Sequence, residues 1–256
     1  MEIADDWLAR VRITNLAGIR AAAEALRDAA RDTAGLRVAV TDNIASAKPM
    51  RDAEGAVLAG EVFGADADQC WWTMPHLALT SPLPMACRFE SEPFWCNASG
   101  FHTRSANPLL DNIDLSRFRE RALTSAAIVT PIHLPFGQIG AASFLSPNRD
   151  ADDLSAPFEA HGEALALLAR VFVASFVKIT ERRSADVGAT VLSKREVECL
   201  RWAAAGKTND EIAIILGLKR TTIRFHIRTA AEKLNAVNRD QALFKAAQLG
   251  FLGTLR

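Results

Sequence analysis

The chain has no tyrosine, only four cysteines, no surplus of either charge and no long apolar run, and each shortage removes a class of explanation. Without tyrosine no side chain offers a phenolic hydroxyl, so a polar pocket has to rely on indole N–H groups, aliphatic hydroxyls and amides. Cys70, Cys87, Cys96 and Cys199 show neither paired spacing nor histidine partners at zinc-ligand distance, which predicts reduced, mostly buried thiols. His76, His102, His133 and His161 are likewise scattered without a metal-binding pattern, and no cofactor is expected. A membrane-spanning helix needs roughly 18 or more apolar residues; the best stretch, Ala164 to Val177, is shorter and is broken by Arg170 and Ser175. The first residues lack a basic segment followed by an apolar one, so a cytoplasmic protein without a membrane partner is expected.

What is present suffices for one substantial core and a small second domain: 49% of residues are hydrophobic and 23% charged. The balance of 30 basic against 30 acidic residues conceals an asymmetry. From Thr190 to Arg256 there are 12 Lys and Arg against 6 Asp and Glu, a net of +6, which leaves the preceding residues at −6. A basic end joined to an acidic body fits contact with phosphates through that end alone.

Within the basic end, Thr208 followed three residues later by Glu211 is a capping box, predicting a helix start. Ile212, Ile215 and Leu216 then fall on one face, and Gly217 supplies the left-handed residue that ends a helix. The turn Leu218, Lys219, Arg220 delivers a second helix from about Thr221 to Leu234, with Ile223, Ile227, Ala230 and Leu234 directed to a core. Thr221, Arg224, Phe225, Arg228 and Lys233 are left facing outward. Arginines four apart stand one turn above each other and can enter one major groove, where guanidinium groups bond O6 and N7 of guanine. Phe225 beside them has no role on a merely solvated face but can touch a thymine methyl.

The run Leu192 to Glu196, with Glu198, Leu200, Trp202, Gly206 to Ala213, Leu216, Gly217, Thr222, Ile223, His226, Lys233, Leu234, Asn238, Arg239 and Ala242, resembles the four-helix DNA-binding domain of the LuxR family. By that resemblance Leu192 to Ala205 is a supporting helix, Thr208 to Leu216 the scaffold helix, Thr221 to Leu234 the recognition helix, and Arg239 to Leu249 a fourth helix that often serves dimer contact. The DNA-contacting set it implies is Lys207, Thr208, Lys219, Arg220, Thr221, Thr222, Arg224, Phe225, Arg228 and Lys233. The partner is double-stranded DNA carrying an inverted repeat, bound by a homodimer.

Upstream, Asp5 to Arg31 reads as an amphipathic helical region with a junction near Asn15 to Gly18. Strands are expected at Leu36 to Val40, Val57 to Phe63 and Met85 to Phe89, and a helix at Leu115 to Leu123 capped by Asp114. Ile128 to Leu134 and Ile139 to Leu145 read as a hairpin joined through Pro135, Phe136 and Gly137, and Leu154 to Arg182 as a long closing helix. The expectation is an α+β N-terminal domain, an α/β/α sandwich with an antiparallel sheet, over residues 1–178. A short polar linker at 179–190 follows, then the all-α four-helix domain at 191–256.

Pro93, Phe94 and Trp95, Ser81 before Pro82, Trp72, Ala127 to Pro131, and Ser143 resemble the signal pocket of quorum-sensing LuxR-family members. That resemblance implies that Trp95 donates its indole N–H to a lactone carbonyl and Ser143 bonds an acyl carbonyl, with Phe94 and Ala127 beside them. It also puts Ser81 where the family has an aspartate accepting an amide N–H, and Trp72 where it has a tyrosine. A neutral hydroxyl is a weaker acceptor than a carboxylate, and an indole can only donate. The implied ligand is an acyl-homoserine lactone or a different, more aromatic molecule. The alternatives carried are a ligand-independent regulator or an antiactivator that pairs with another family member, and a response regulator with Asp42 as phospho-acceptor. Catalysis is not expected, because Ser143 lacks a nucleophile-elbow context and Cys70 and Cys96 lack a histidine partner.

Overall fold

The computed structural model describes residues 5–46, 48–65, 77–180 and 192–252. Two compact units divide the chain, an N-terminal one holding a sheet and a C-terminal one made of helices.

The N-terminal unit begins with α1 (Asp5–Val11), a single 3-10 turn at Leu16–Gly18, and α2 (Ile19–Ala34). The Asn15 side chain caps the turn by accepting from Gly18 N–H, which is why the helical region breaks there. Next come β1 (Arg37–Thr41) and three short helices, α3 (Leu58–Glu61), α4 (Leu77–Thr80) and α5 (Pro82–Ala86). The hairpin β2 (Phe94–Asn97) and β3 (Gly100–His102), then α6 (Phe118–Ala122), lead to β4 (Ala126–His133), β5 (Ile139–Leu145) and the long α7 (Ser155–Thr180). The five strands form one sheet in the order β1-β5-β4-β2-β3, and every pairing is antiparallel.

One face of the sheet packs against α2 and α7 through Val38, Ile128, Phe144, Leu26, Leu165, Leu168 and Phe172. Burying each such side chain contributes about 1.5–3 kcal/mol. Gly140 permits this closeness, since a Cβ there would lie 2.9 Å from a Val173 side-chain carbon and 3.0 Å from the Thr41 carbonyl oxygen. Ser175, buried in α7, donates to the Val171 carbonyl at 2.7 Å and accepts from the Ile13 N–H at 3.0 Å, so the chain after α1 is tied down without an orphaned polar group. The opposite face packs Cys96, Ala127, Val129 and Ala141 against Leu83, Ala86 and Cys87 near α5 and Phe118 and Ala122 of α6.

Four local expectations are corrected. Val57 to Phe63 is a helical turn rather than a strand, with only Val57 bridging to Arg51, because short apolar runs do not distinguish the two states by periodicity. Met85 to Phe89 is likewise not a strand: Pro82 and Pro84 occupy the first turn of α5, where a missing N–H costs nothing. The helix expected from Leu115 shrinks to Phe118–Ala122, since Asp114 accepts from Ser116 N–H in a turn and Arg117 takes a left-handed conformation. The β2–β3 hairpin was not foreseen. Asp42 follows an edge strand of a wholly antiparallel sheet, which removes the response-regulator reading, because that needs a phospho-acceptor at the end of a buried parallel strand.

The C-terminal unit contains α8 (Lys194–Ala204), α9 (Asn209–Leu216), α10 (Arg220–Lys233) and α11 (Arg239–Gln248). The expected fold class, an α+β domain with an antiparallel sheet followed by four helices, is what the chain adopts.

Candidate DNA interface and ligand cavity

Three of the four C-terminal helices start with a side-chain cap, and each cap is legible within one turn of sequence. At α9, Thr208 Oγ1 accepts from Glu211 N–H at 3.3 Å and Glu211 returns a carboxylate oxygen to Thr208 N–H at 2.8 Å. The Thr208 N–H bond holds the Glu211 carboxyl below its ordinary range. Gly217, at φ 63°, closes α9 with the Leu218 N–H reaching back to the Ala213 carbonyl at 2.9 Å. Ile212 and Ala213 of α9 meet Ile223 and Ile227 of α10 and Cys199 and Ala203 of α8 in one core. Ala230 and Leu234 join Leu200, Ala242 and Ala246 in a second. Ile215, expected on the inner face, is 43% exposed, because Ala213 takes the inward position.

This packing fixes what α10 turns outward. Thr221, Arg224, Phe225 and Arg228 are exposed, Phe225 by 54%. The Arg224 side chain has no hydrogen bond or ion pair among the described residues. Arg228 has only an exposed pairing with Glu232 at 3.5 Å, and Arg220 one with Asp210 at 3.3 Å; such surface pairs exchange at little cost. Lys219 precedes α10 as its N-cap residue and is exposed, while Thr222 is half-buried. Lys207, at the mouth of α9, lies 3.5 Å from Glu211, and its carbonyl accepts from Arg239 at 2.7 Å, which pins the turn to the start of α11.

Lys233 departs from the expected set. Its Nζ lies 2.9 Å from both carboxylate oxygens of Glu196, a buried residue whose Oε2 also accepts from Ser193 N–H. Burial raises the Glu196 carboxyl, but the Lys233 and Ser193 hydrogen bonds outweigh it and hold the group below its ordinary range. Position 233 faces outward on a lone helix; α8, packed across it, supplies an acid that draws it in.

In the N-terminal unit a cavity of about 580 Å³ opens on the sheet face away from α2 and α7. Its floor is Ala39, Thr41, Val129, Ala141, Ser143 and Leu145, and Leu83, Pro84 and Cys87 form part of its wall. Arg37, Arg119, Glu120 and Arg149 also line it. The Cys87 thiol is pushed up to about 12 by burial, so it presents a neutral S–H.

Of the residues expected in a pocket, Ser143 lines this cavity. Phe94 and Ala127 lie on the same side of the sheet but are fully buried in the core beside the cavity. Ser81 is fully buried just before the α5 residues Leu83 and Pro84, and does not itself line the space. Trp95 is a correction. It pairs in register with Ile128 and packs with the α7 side of the sheet, stacked on His102 at 3.9 Å. Successive residues of a strand point to opposite faces, so Phe94 and Cys96 on the cavity side force Trp95 away from it. Trp72 lies outside the described residues. The arginines were missed, since nothing local marks positions 37, 119 and 149 as neighbours.

Residues 190–246 match the family model GerE, described as bacterial regulatory proteins, luxR family. The transcriptional activator protein AhyR of Aeromonas hydrophila is 28% identical over 184 residues, which cover 71% of this chain and 68% of that protein. The transcriptional activator protein VanR of Vibrio anguillarum is 34% identical over 127 residues, 50% of this chain and 52% of that one. Among solved structures, SdiA in complex with octanoyl-rac-glycerol aligns over all of both chains at 19% identity, with a TM-score of 0.46.

Proposed function

We propose that this chain, whose residues 190–246 match the family model of the luxR family of bacterial regulatory proteins, is a transcription regulator that binds an inverted-repeat operator as a homodimer and senses a small molecule in its N-terminal cavity. The observation that carries the DNA-binding part is the outward row Thr221, Arg224, Phe225 and Arg228 on α10, held in phase by Ile223 and Ile227 beneath it. Such a row presents two guanidinium forks to base edges, while Lys207, Lys219 and Arg220 sit where helix N-termini approach phosphates. One domain of this size covers too little DNA for tight binding, and twofold pairing joins two half-sites about one helical turn apart.

The cavity supports the sensing part. Its volume falls in the range of about 300–1,000 Å³ usual for small-molecule sites, and it offers apolar walls with a few polar groups, Ser143 and Thr41 among them. The ligand class named for quorum-sensing members is one occupant of such a space; the charged lining favours a different one.

Selection of bound sequences from a random DNA pool, followed by footprinting, tests the reading. The expected product is a twofold-symmetric site of about two helical turns, protected on both halves. A single half-site protected by one chain overturns the dimer, and enrichment of no sequence overturns specific recognition.

A further inference from the structure

We propose that the cavity takes an anionic amphiphile, a carboxylate on an acyl or aryl chain, with the charge held by Arg37 and its neighbouring arginines; this rests on the reading of the cavity as the signal site. The lining is lopsided in two ways. Among the described lining residues, three arginines stand with one carboxylate, Glu120, and that carboxylate is already paired with Arg117. The positive groups also gather at one end. Arg37 opens β1 opposite Leu145, the last residue of β5, and Ser146 and Arg149 follow directly. The Arg149 carbonyl accepts from Ser125 at 2.7 Å, which folds that turn back toward the end of α6, where Arg119 reaches Asp150 at 2.8 Å. Beyond them the described floor is Ala39, Val129 and Ala141, with no charge.

A charged end joined to an apolar floor selects a ligand of the same polarity. The Arg37 side chain makes no hydrogen bond or ion pair among the described residues, so a neutral ligand lying across it strips water from a guanidinium and returns nothing. A carboxylate returns two charge-assisted hydrogen bonds in the planar geometry that guanidinium prefers. The Arg119 to Asp150 pairing is exposed on both sides and can yield to a ligand at little cost. An acyl-homoserine lactone carries no charge and makes no use of this end.

Calorimetric titration and thermal shift of the full chain test the assignment with three probes of one chain length: dodecanoate, its glycerol monoester and dodecyl phosphate. Dodecanoate is expected to saturate at one per chain, roughly tenfold tighter than the monoester. Arg37→Gln should abolish that difference by weakening dodecanoate without weakening the monoester, and raising the salt concentration severalfold should weaken dodecanoate but not the monoester. Salt dependence keeps the test decisive if Arg37→Gln does not fold. A monoester that binds as tightly as dodecanoate, or an Arg37→Gln protein that loses both equally, overturns the anionic class. Tighter binding of dodecyl phosphate overturns the carboxylate head. If no probe saturates, the cavity is not a ligand site and the underlying reading fails with it.

Discussion

Lys233 Nζ sits 2.9 Å from both oxygens of the Glu196 carboxylate and joins the last turn of α10 to the first turn of α8. The acid is buried and the lysine side chain is 38% exposed, so the pair is intermediate between a surface bridge and a buried one. Removing the lysine leaves a largely desolvated carboxylate. Lys233→Ala should therefore destabilise the C-terminal unit by about 1–3 kcal/mol, less than a fully buried pair would cost. A DNA-contact role predicts weakened binding with unchanged melting; the expected result is the reverse, seen by denaturation and by binding at a temperature where both proteins are folded.

The same pair sets a pH dependence. The folded Glu196 carboxyl titrates below its ordinary value of 4.5, so its contribution is fully present above that value and is lost as the pH falls through the lower, folded-state one. Unfolding by urea at a series of pH values should show stability falling on acidification more steeply in the wild type than in Glu196→Gln. Parallel profiles would contradict it.

Arg228→Ala should cost about 1–3 kcal/mol on the cognate site and relax base preference there, as should Arg224→Ala. Lys207→Ala should weaken all sequences alike and lower the salt dependence by about one phosphate contact. Equal losses on specific and random DNA for the arginine variants would remove base reading from Arg224 and Arg228.

Trp95 and Ser143 should separate in a ligand titration. Trp95→Ala removes packing on the α7 face and is expected to lower the melting temperature without changing affinity for any cavity ligand. Ser143→Phe fills the cavity floor and should abolish binding while the protein stays folded. A selective affinity loss in Trp95→Ala would place its ring in the site. Ser81→Asp, attractive if Ser81 lined the pocket, buries a carboxylate at a fully enclosed position and should destabilise the domain instead.

Cys87 lines the cavity with its thiol pushed up to about 12. A small alkylating agent that enters the cavity at pH 8 meets a thiol, whereas the thiolate is the nucleophile. Peptide mapping after iodoacetamide treatment should find Cys87 unmodified in the native protein and modified after denaturation. Rapid native labelling would show that the side chain opens to water.

The sequence by itself determined what is decided within one helical turn or one hairpin. The capping box at Thr208, the left-handed Gly217 and the inward row Ile223, Ile227, Ala230 and Leu234 depend only on near neighbours, and the helix-turn-helix with its outward arginines follows from them. The strands Ile128 to Leu134 and Ile139 to Leu145 were legible for the same reason, since two apolar runs joined by a proline-glycine turn are a local signal. Tertiary structure decided whatever depends on a partner far along the chain. Pairing of β2 with β4 put Phe94 and not Trp95 on the cavity side, and a single residue of register reverses that choice. The acid of α8 turned Lys233 from an outward contact into a tie. Arg37, Arg119 and Arg149 came together through the antiparallel return of β5 beside β1 and the folding of α6 onto the end of the sheet, a convergence that spacing along the chain does not encode.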